Sequence, residues 1–266
     1  MRRMVEYRKK KSLPRGRLKE EWNMKKALVL LLALCLMIPV FCAAEGEEAA
    51  AEAPAALTAD MASNLTVLAS NVMFVKGFWS NNMIYLAKVR NDGDKLVCPD
   101  TDKMYMAVLD ADGNEIARTS GFFDVSCYPN SLAPGETAYV KLQVSVEGTP
   151  ASVRGDLVFG ENEWASPCQR VDAAAEFTAP KDAGYSGTIR ATVTNTLDTN
   201  LECSAAVMLT DADGLPLLMN NTTMLSEEII PGSTIVFRLM ADSDILDWCA
   251  ANGITPAAVE AIAWRD

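Results

Sequence analysis

The chain has 266 residues, of which 50% are hydrophobic and 22% charged, a composition typical of a globular protein with one large or two small domains. It contains no histidine, which excludes Ser-His and Cys-His nucleophiles within the chain and argues against a structural zinc site. Residues 1–44 hold 11 of the 24 basic residues and 3 of the 35 acidic ones. The rest of the chain therefore has 13 basic and 32 acidic residues, a net charge of −19. Such a surface repels nucleic acid, and we predict no nucleic-acid partner.

The N-terminal region has the pattern of an export signal. A basic segment precedes an apolar run over residues 27–44 that ends in small residues, which predicts a signal peptide cleaved after Ala44. Because the compact pattern MKKALVLLL begins at Met24, we interpret residues 24–44 as the signal peptide and residues 1–23 as a leader outside the translated protein. The alternative is an uncleaved signal anchor, since the run approaches the ~20 residues that span a bilayer. Both interpretations predict a secreted or cell-envelope protein, with membrane contact only through an uncleaved signal segment.

Residues 45–62 are rich in Ala and Glu and predict a flexible linker. Beyond this linker, apolar and polar residues alternate as in half-buried β-strands, for example over residues 139–146 and 188–194.

Four segments of the first half recur in the same order in the second half, 97 to 106 residues further on. The pairs are AKVRND (87–92) with ATVTNT (191–196), LDADG (109–113) with TDADG (210–214), LAPGETAYVKL (132–142) with IIPGSTIVFRL (229–239), and TPASVRGDLVF (149–159) with TPAAVEAIAW (255–264). We therefore predict two tandem repeats, residues 63–165 and 171–266. Each has the length of a β-sandwich domain.

One segment of the second repeat is not typical of a strand. Residues 241–254, ADSDILDWCAANGI, begin with capping residues, continue with apolar ones and end in Asn-Gly, which predicts a short helix. The predicted fold is therefore all-β, with two β-sandwich domains in tandem, a short helix in the second domain and an N-terminal signal helix.

The order of strand, DxxG turn, strand, (L/I)-x-P-G-(E/S)-T turn and strand resembles the FxLYD type of bacterial extracytoplasmic domain. The namesake motif aligns with MAVLD at residues 106–110 and VMLTD at residues 207–211, both of which lack its Phe and Tyr. The resemblance implies tandem immunoglobulin-like β-sandwiches at the cell envelope. It implies no catalytic residues.

The repeated acidic turn is the first candidate site. In VLDADGNEIA, residues 108–117, Asp110 and Asp112 could ligate calcium, as could their counterparts Asp211 and Asp213. Counted from Asp110, however, the glycine stands at position four rather than six and no Glu stands at position twelve. A hairpin turn explains the same residues, because Asp bonds local backbone and Gly takes positive φ. We favour the turn and predict no metal and no cofactor.

Two aromatic pairs, Phe78-Trp79 and Phe122-Phe123, are the candidate ligand-binding residues, with Trp164 as a further member. In an extended segment one ring of each pair points inward and the other outward. The outward rings could stack on a glycan or bind a protein. The alternative is that they belong to the core and to edge strands.

Five cysteines follow the signal segment: Cys98, Cys127, Cys168, Cys203 and Cys249. In an exported protein some of them are expected to pair. Cys98 and Cys127 flank the acidic turn and are the candidate disulfide, whereas a bridge at Cys203 would use Cys249 or Cys168. Five buried free thiols are the alternative.

The sequence contains no GxSxG, P-loop or GxGxxG motif, and we predict that the protein is not an enzyme. The leading hypothesis is a structural or protein-interaction module with an unknown protein or glycan partner. A carbohydrate-binding module that uses exposed aromatic residues is the alternative. A catalytic carboxylate pair is a third hypothesis, because acid–base chemistry needs only two carboxyl groups.

Overall fold

A computed structural model describes residues 57–77, 79–222 and 228–265, without the side chain of Phe122. The predicted leader and signal peptide and most of the predicted linker lie outside the described residues. All described residues belong to one compact unit, Pro54–Asp266. Within them, no helix is long and apolar enough to cross a membrane.

The first half of the unit is built from ten strands and one 3-10 helix. In chain order these are β1 (Thr58–Ser63), β2 (Thr66–Lys76), β3 (Asn81–Arg90), β4 (Cys98–Pro99), β5 (Tyr105–Leu109), β6 (Glu115–Arg118), the 3-10 helix (Gly121–Phe123), β7 (Val125–Tyr128), β8 (Thr137–Ser145), β9 (Ser152–Leu157) and β10 (Phe159–Gly160). They form two four-stranded sheets, β1-β9-β5-β6 and β2-β3-β8-β7, and a small pair, β10-β4.

The first core lies between the two four-stranded sheets. Alternate residues of β3 and β8 point into it, among them Met83, Val89 and Leu142, which are fully buried. They meet Met106 and Val153 of the opposite sheet. Residues that alternate along a strand point to opposite faces, so this core explains the apolar positions of the predicted strands.

The described residues of the second half form six strands and one helix. In chain order these are β11 (Gln169–Thr178), β12 (Gly187–Thr194), β13 (Ser204–Thr210), β14 (Pro216–Thr222), β15 (Thr234–Ala241), α1 (Ser243–Ala251) and β16 (Ala258–Arg265). The strand order is β14-β13-β16-β11-β12-β15. β11 pairs with β16 through its first residues and with β12 through the rest, and it thereby joins the two sides of a second core that contains Val193 and Leu209.

Two of the strand pairings formed by the repeated segments occur in both halves. Val108 of β5 pairs with Val153 of β9, and Leu209 of β13 pairs with Val259 of β16. Likewise Val89 pairs with Ala138, and Val193 pairs with Ile235. Each residue of the second set lies at the position that the sequence repeat assigns to its counterpart. The predicted all-β class is confirmed by the strands of both halves, and the predicted short helix is α1.

The predicted linker extends too far. β1 begins at Thr58, inside the predicted linker of residues 45–62, and pairs in parallel with β9. Most of its residues are exposed, and Met61 contacts the first core from the sheet edge. An edge strand with one half-buried contact lacks the apolar alternation by which strands are predicted from sequence.

A third apolar cluster joins the two halves. The outer face of the β2-β3-β8-β7 sheet packs on the outer face of β13, β14 and β16 and on α1. Its most deeply buried members include Met73, Leu86 and Tyr139 of the first half and Ala206 and Met208 of the second. The two repeats therefore share a buried interface in addition to their own cores.

Candidate interaction surface

The acidic turn has the same geometry in both repeats. Asp110 Oδ1 accepts hydrogen bonds from the amides of Asp112 and Asn114 at 3.0 and 2.8 Å. Gly113 takes a φ of 81°, in the region that favours glycine. Hydrogen bonds from Asn114 hold the pKa of the Asp110 carboxyl below its usual range. The carboxylate of Asp110 therefore stabilises the turn.

The second copy repeats this arrangement. Asp211 Oδ1 accepts from the amides of Asp213 and Leu215 at 2.9 and 2.8 Å, and Gly214 takes a φ of 85°. In the part of the chain that the structure describes, no group of three or more acidic, cysteine or histidine side chains is placed to hold a metal ion. The structure therefore uses the repeated DADG segment as two hairpin turns.

A buried asparagine in each repeat was missed by the sequence interpretation. Asn91 Nδ2 donates to the carbonyls of Lys95 and Leu132 at 2.7 and 3.0 Å. Asn195 Nδ2 donates in the same way to Thr199 and Ile229 at 2.9 and 2.7 Å. The recurrence of Asn in AKVRND and ATVTNT was the available signal. These residues fix the loop after the strand against the PG turn, and they serve the fold rather than a ligand.

Trp79 and Phe123 are the most exposed large apolar residues described, with 92% and 95% of their surface accessible. Trp79 lies in the turn between β2 and β3, which is closed by a 3.1 Å hydrogen bond from the Gly77 amide to the Ser80 carbonyl. Phe123 ends the 3-10 helix. One ring of each pair is therefore exposed, but Trp79 lies in a turn and Phe123 in a 3-10 helix, not in the extended segments on which the prediction of alternating rings depends. Phe78 and the side chain of Phe122 lie outside the described residues.

Trp79 and Phe123 lie at the same end of the unit. Asn82 Nδ2 donates to the Ser80 carbonyl at 3.3 Å, next to Trp79, and Asn82 and Phe123 line one small cavity of about 250 Å³. The N-terminus of α1 adjoins the Trp79 turn, because a Cβ placed on Gly77 would lie 2.6 Å from Asp244 Oδ2. We call the surface formed by Trp79, Phe123 and the N-terminus of α1 the aromatic end.

A lysine and two carboxylates give the aromatic end its charge. Lys141 lines the small cavity, and burial lowers the pKa of its amine, while the charge of Asp242 opposes this shift. Asp242 caps α1 by accepting from the Asp244 amide at 2.8 Å. The aromatic end therefore combines two exposed rings with a half-buried amine and nearby carboxylates.

Trp164 lies at the opposite end of β3 from Trp79. Its side chain is 86% exposed and lines a cavity of about 850 Å³. Lys95, which follows β3 in the chain, lines the same cavity. The cavity also contains several acidic side chains. Among them are Asp100, Asp102, Glu161 and Glu163. We call this feature the Trp164 cavity.

The predicted disulfide between Cys98 and Cys127 is not formed in the structure, where both carry free thiols. Cys127 lies in the first core, where burial raises the pKa of its thiol, and its Sγ donates to the Pro129 carbonyl at 3.5 Å. Cys98 instead lines the Trp164 cavity. Cys203 and Cys249 are buried free thiols as well.

The carboxyl groups with clearly shifted pKa values are not suited to act as general acids. Hydrogen bonds lower the pKa of Asp92, Asp110 and Glu115, with Arg90, Asn114 and Arg118 as the respective principal donors. A general acid at neutral pH needs the opposite shift.

No family model matches the chain, and no curated protein matches it in sequence.

Proposed function

We propose that this chain is a non-catalytic interaction module of the cell envelope or of the secreted fraction, and that it binds a partner protein through the aromatic end. In this proposal the two repeats are tandem immunoglobulin-like domains of the FxLYD type. The observation that carries the proposal is the exposure of Trp79 and Phe123 at one end of the unit.

Exposed rings at one end are energetically suited to binding. Aromatic side chains bury 150–250 Å² each and dominate the energetics of interfaces. Tryptophan is enriched among the few residues whose truncation costs about 2 kcal/mol or more of binding energy. Trp79 stands on a turn closed by backbone hydrogen bonding and packed against α1. Because the backbone of this turn is already fixed, a partner that covers Trp79 does not have to order it.

The absence of catalysis in this proposal is supported by the chemistry of the chain. Without histidine, a general acid at neutral pH would be a carboxyl group with a raised pKa, and a nucleophile would be a cysteine with a lowered one. The shifted carboxyl pKa values are lowered, and burial raises the pKa of the Cys98, Cys127, Cys203 and Cys249 thiols. A raised thiol pKa reduces the thiolate fraction that a nucleophile requires.

Site-specific photocrosslinking tests the aromatic end. A benzophenone amino acid is placed at position 79 or at position 123 of the full chain, in the cells that produce it. We expect both variants to form a covalent adduct with the same discrete protein after irradiation. With that protein purified, Trp79→Ala should weaken binding by about 30-fold, since 1.4 kcal/mol corresponds to a tenfold change.

The control places the same photoreactive group at Val236, which is 43% exposed on β15. It should give no such adduct, and circular dichroism should show that all variants are folded. An adduct of equal yield from position 236, or unchanged affinity in Trp79→Ala, would contradict the proposal.

Carbohydrate binding is the second candidate, and the Trp164 cavity favours it. An exposed indole beside carboxylates offers a flat apolar face together with hydrogen-bond acceptors for sugar hydroxyls. The wall includes one surface ion pair, with Lys95 Nζ 2.8 Å from Glu161 Oε1. The acidic charge favours a neutral glycan over an anionic one.

An array of neutral oligosaccharides tests this candidate with the full chain as the probe. If a glycan binds in the Trp164 cavity, Trp164→Ala should lower its affinity at least about tenfold, whereas Trp79→Ala should leave it unchanged. The absence of binding to every neutral glycan, or equal losses in both variants, would count against this cavity as the site.

A further inference from the structure

The position of Cys98 is set by a short antiparallel contact. Val97 and Leu132 exchange both backbone hydrogen bonds, at 3.1 and 2.9 Å, and both side chains contact the first core. In such a pair the next residues, Cys98 and Ser131, follow across from each other. Because side chains alternate along a strand, the side chains of Cys98 and Ser131 are expected to point away from the first core.

Cys168 approaches the same face. Its Sγ lies 3.0 Å from Ser131 Oγ and 3.7 Å from Asn130 Oδ1. Ser131 Oγ also donates to the Ser166 carbonyl at 2.9 Å, which holds the segment before Cys168 in place. Ser131 thus contacts Cys168 and precedes Leu132, the residue that pairs with Val97. The register of that pair places Cys98 and Cys168 on the same side of the contact.

Cys127 lies on the other side of this contact. It belongs to the first core with Leu132 and is 7% exposed, whereas Cys168 belongs to the cluster that joins the two halves. Burial raises the pKa of Cys98, with a smaller contribution from Cys168, and Cys98 in turn contributes to the raised pKa of Cys127, so these shifts do not distinguish the two thiols and the geometry decides between them. Parity and contacts thus favour Cys168 over Cys127 as the neighbour of Cys98.

We propose that Cys98 and Cys168 are a site of disulfide formation, and that the bond fixes the segment between the two repeats. That segment begins at Gly160, which pairs with Cys98 between β10 and β4, and it ends at Cys168. It carries Trp164. The inference is independent of the proposed function, because it concerns only the thiols and the chain that connects them.

The oxidant enters through the Trp164 cavity, whose wall includes Cys98. The Cys98 thiol loses its proton and attacks one sulfur of an external disulfide, which releases one thiolate and leaves a mixed disulfide. The Cys168 thiol then loses its proton and attacks the Cys98 sulfur, which releases the second external thiolate. Two protein thiols are oxidised, one external disulfide is reduced, and the two protons pass to the released thiolates.

Peptide mapping without reduction tests the pairing. The purified full chain is treated with oxidised glutathione, and remaining thiols are alkylated under denaturing conditions. We expect a peptide pair joined through Cys98 and Cys168, with Cys127 recovered as the alkylated thiol. A pair joined through Cys98 and Cys127, or recovery of Cys168 as a thiol, would overturn the proposal.

A thermal readout separates the bond from incidental oxidation. Because it closes a long loop in the unfolded chain, the bond should raise Tm by about 5–10 °C on oxidation. Cys168→Ser and Cys98→Ser should each lose this rise, while Cys127→Ser should retain it. If a serine variant does not fold, blocking Cys98 in the native protein with a small alkylating reagent provides the same comparison. A rise that persists without either thiol would contradict the assignment.

Discussion

Replacing Met208 by aspartate is expected to separate the two repeats without destroying either one. Met208 lies in β13 with its side chain in the apolar cluster between the halves, where it is 1% exposed. It pairs with Glu260 of β16, whose carboxylate bonds Lys88 and the Tyr139 hydroxyl of the first repeat. An aspartate there would be buried without a partner and beside a second carboxylate.

The expected cost of Met208→Asp is about 3 kcal/mol or more, because an unpaired charge inside an apolar interface is strongly destabilising. For a unit of this size that corresponds to a fall in Tm of about 6–12 °C. Calorimetry should show a single transition in the unchanged protein and two transitions in the variant, the second repeat or the first unfolding alone.

The matched control is Met240→Asp, since Met240 belongs to the same repeat and is 67% exposed. Substitution at an exposed position changes stability by about 0.5 kcal/mol or less. A single transition near the original Tm in Met208→Asp would show that the interface contributes little to the stability of the unit.

Asn195→Ala is expected to have the second large effect. The Asn195 side chain is fully buried and donates to two carbonyls, those of Thr199 and Ile229, while its Oδ1 accepts from the Leu197 amide at 2.9 Å. Alanine would leave these backbone groups without their partner. A buried polar group without a hydrogen bond costs about 1–3 kcal/mol, so we expect a loss of about 3 kcal/mol in the free energy of unfolding.

Equilibrium denaturation in urea measures this loss, and two comparisons sharpen it. Asn195→Asp keeps the acceptor but removes the donor, so it should remain destabilising if the two carbonyls are the main partners. Asn200→Ala removes an exposed asparagine from the same loop and should be nearly neutral. Since Asn91 makes the equivalent bonds in the first repeat, Asn91→Ala should lose a similar amount. A loss below about 1 kcal/mol at both positions would contradict the role assigned to the pair.

The interface between the repeats shows why part of the fold could not be predicted. β13 is buried along its whole length, from Ser204 to Thr210, and its segment SAAVMLT has the nearly continuous apolar character of strands covered on both faces. Alternation elsewhere in the chain suggested half-buried strands. Which surface covers the second face depends on contacts between distant segments, and no local pattern records such contacts.

The candidate sites, too, could be predicted only in part from the sequence. The sequence identifies the two aromatic pairs but not which ring of each pair is exposed, because Trp79 lies in a turn and Phe123 in the 3-10 helix, where strand alternation does not apply. The structure shows both of these rings exposed. That they share one end with α1 depends on how the β2–β3 turn and the 3-10 helix are brought together. The same holds for Cys98, because its neighbour across the strands is set by the Val97–Leu132 contact and lies far away in the chain.

The sequence alone determined the all-β class, the recurrence of one strand pattern, the short helix and the turn character of both DADG segments. These properties are local: periodicity, capping and glycine at positive φ act over a few residues and therefore leave a pattern in the chain. Tertiary structure alone decided the edge strand at Thr58, the joining of both repeats through Met208 and its neighbours, and the approach of Cys168 to Ser131. Each of these depends on residues far apart in sequence, whose contacts form only when the outer faces of two sheets are buried together.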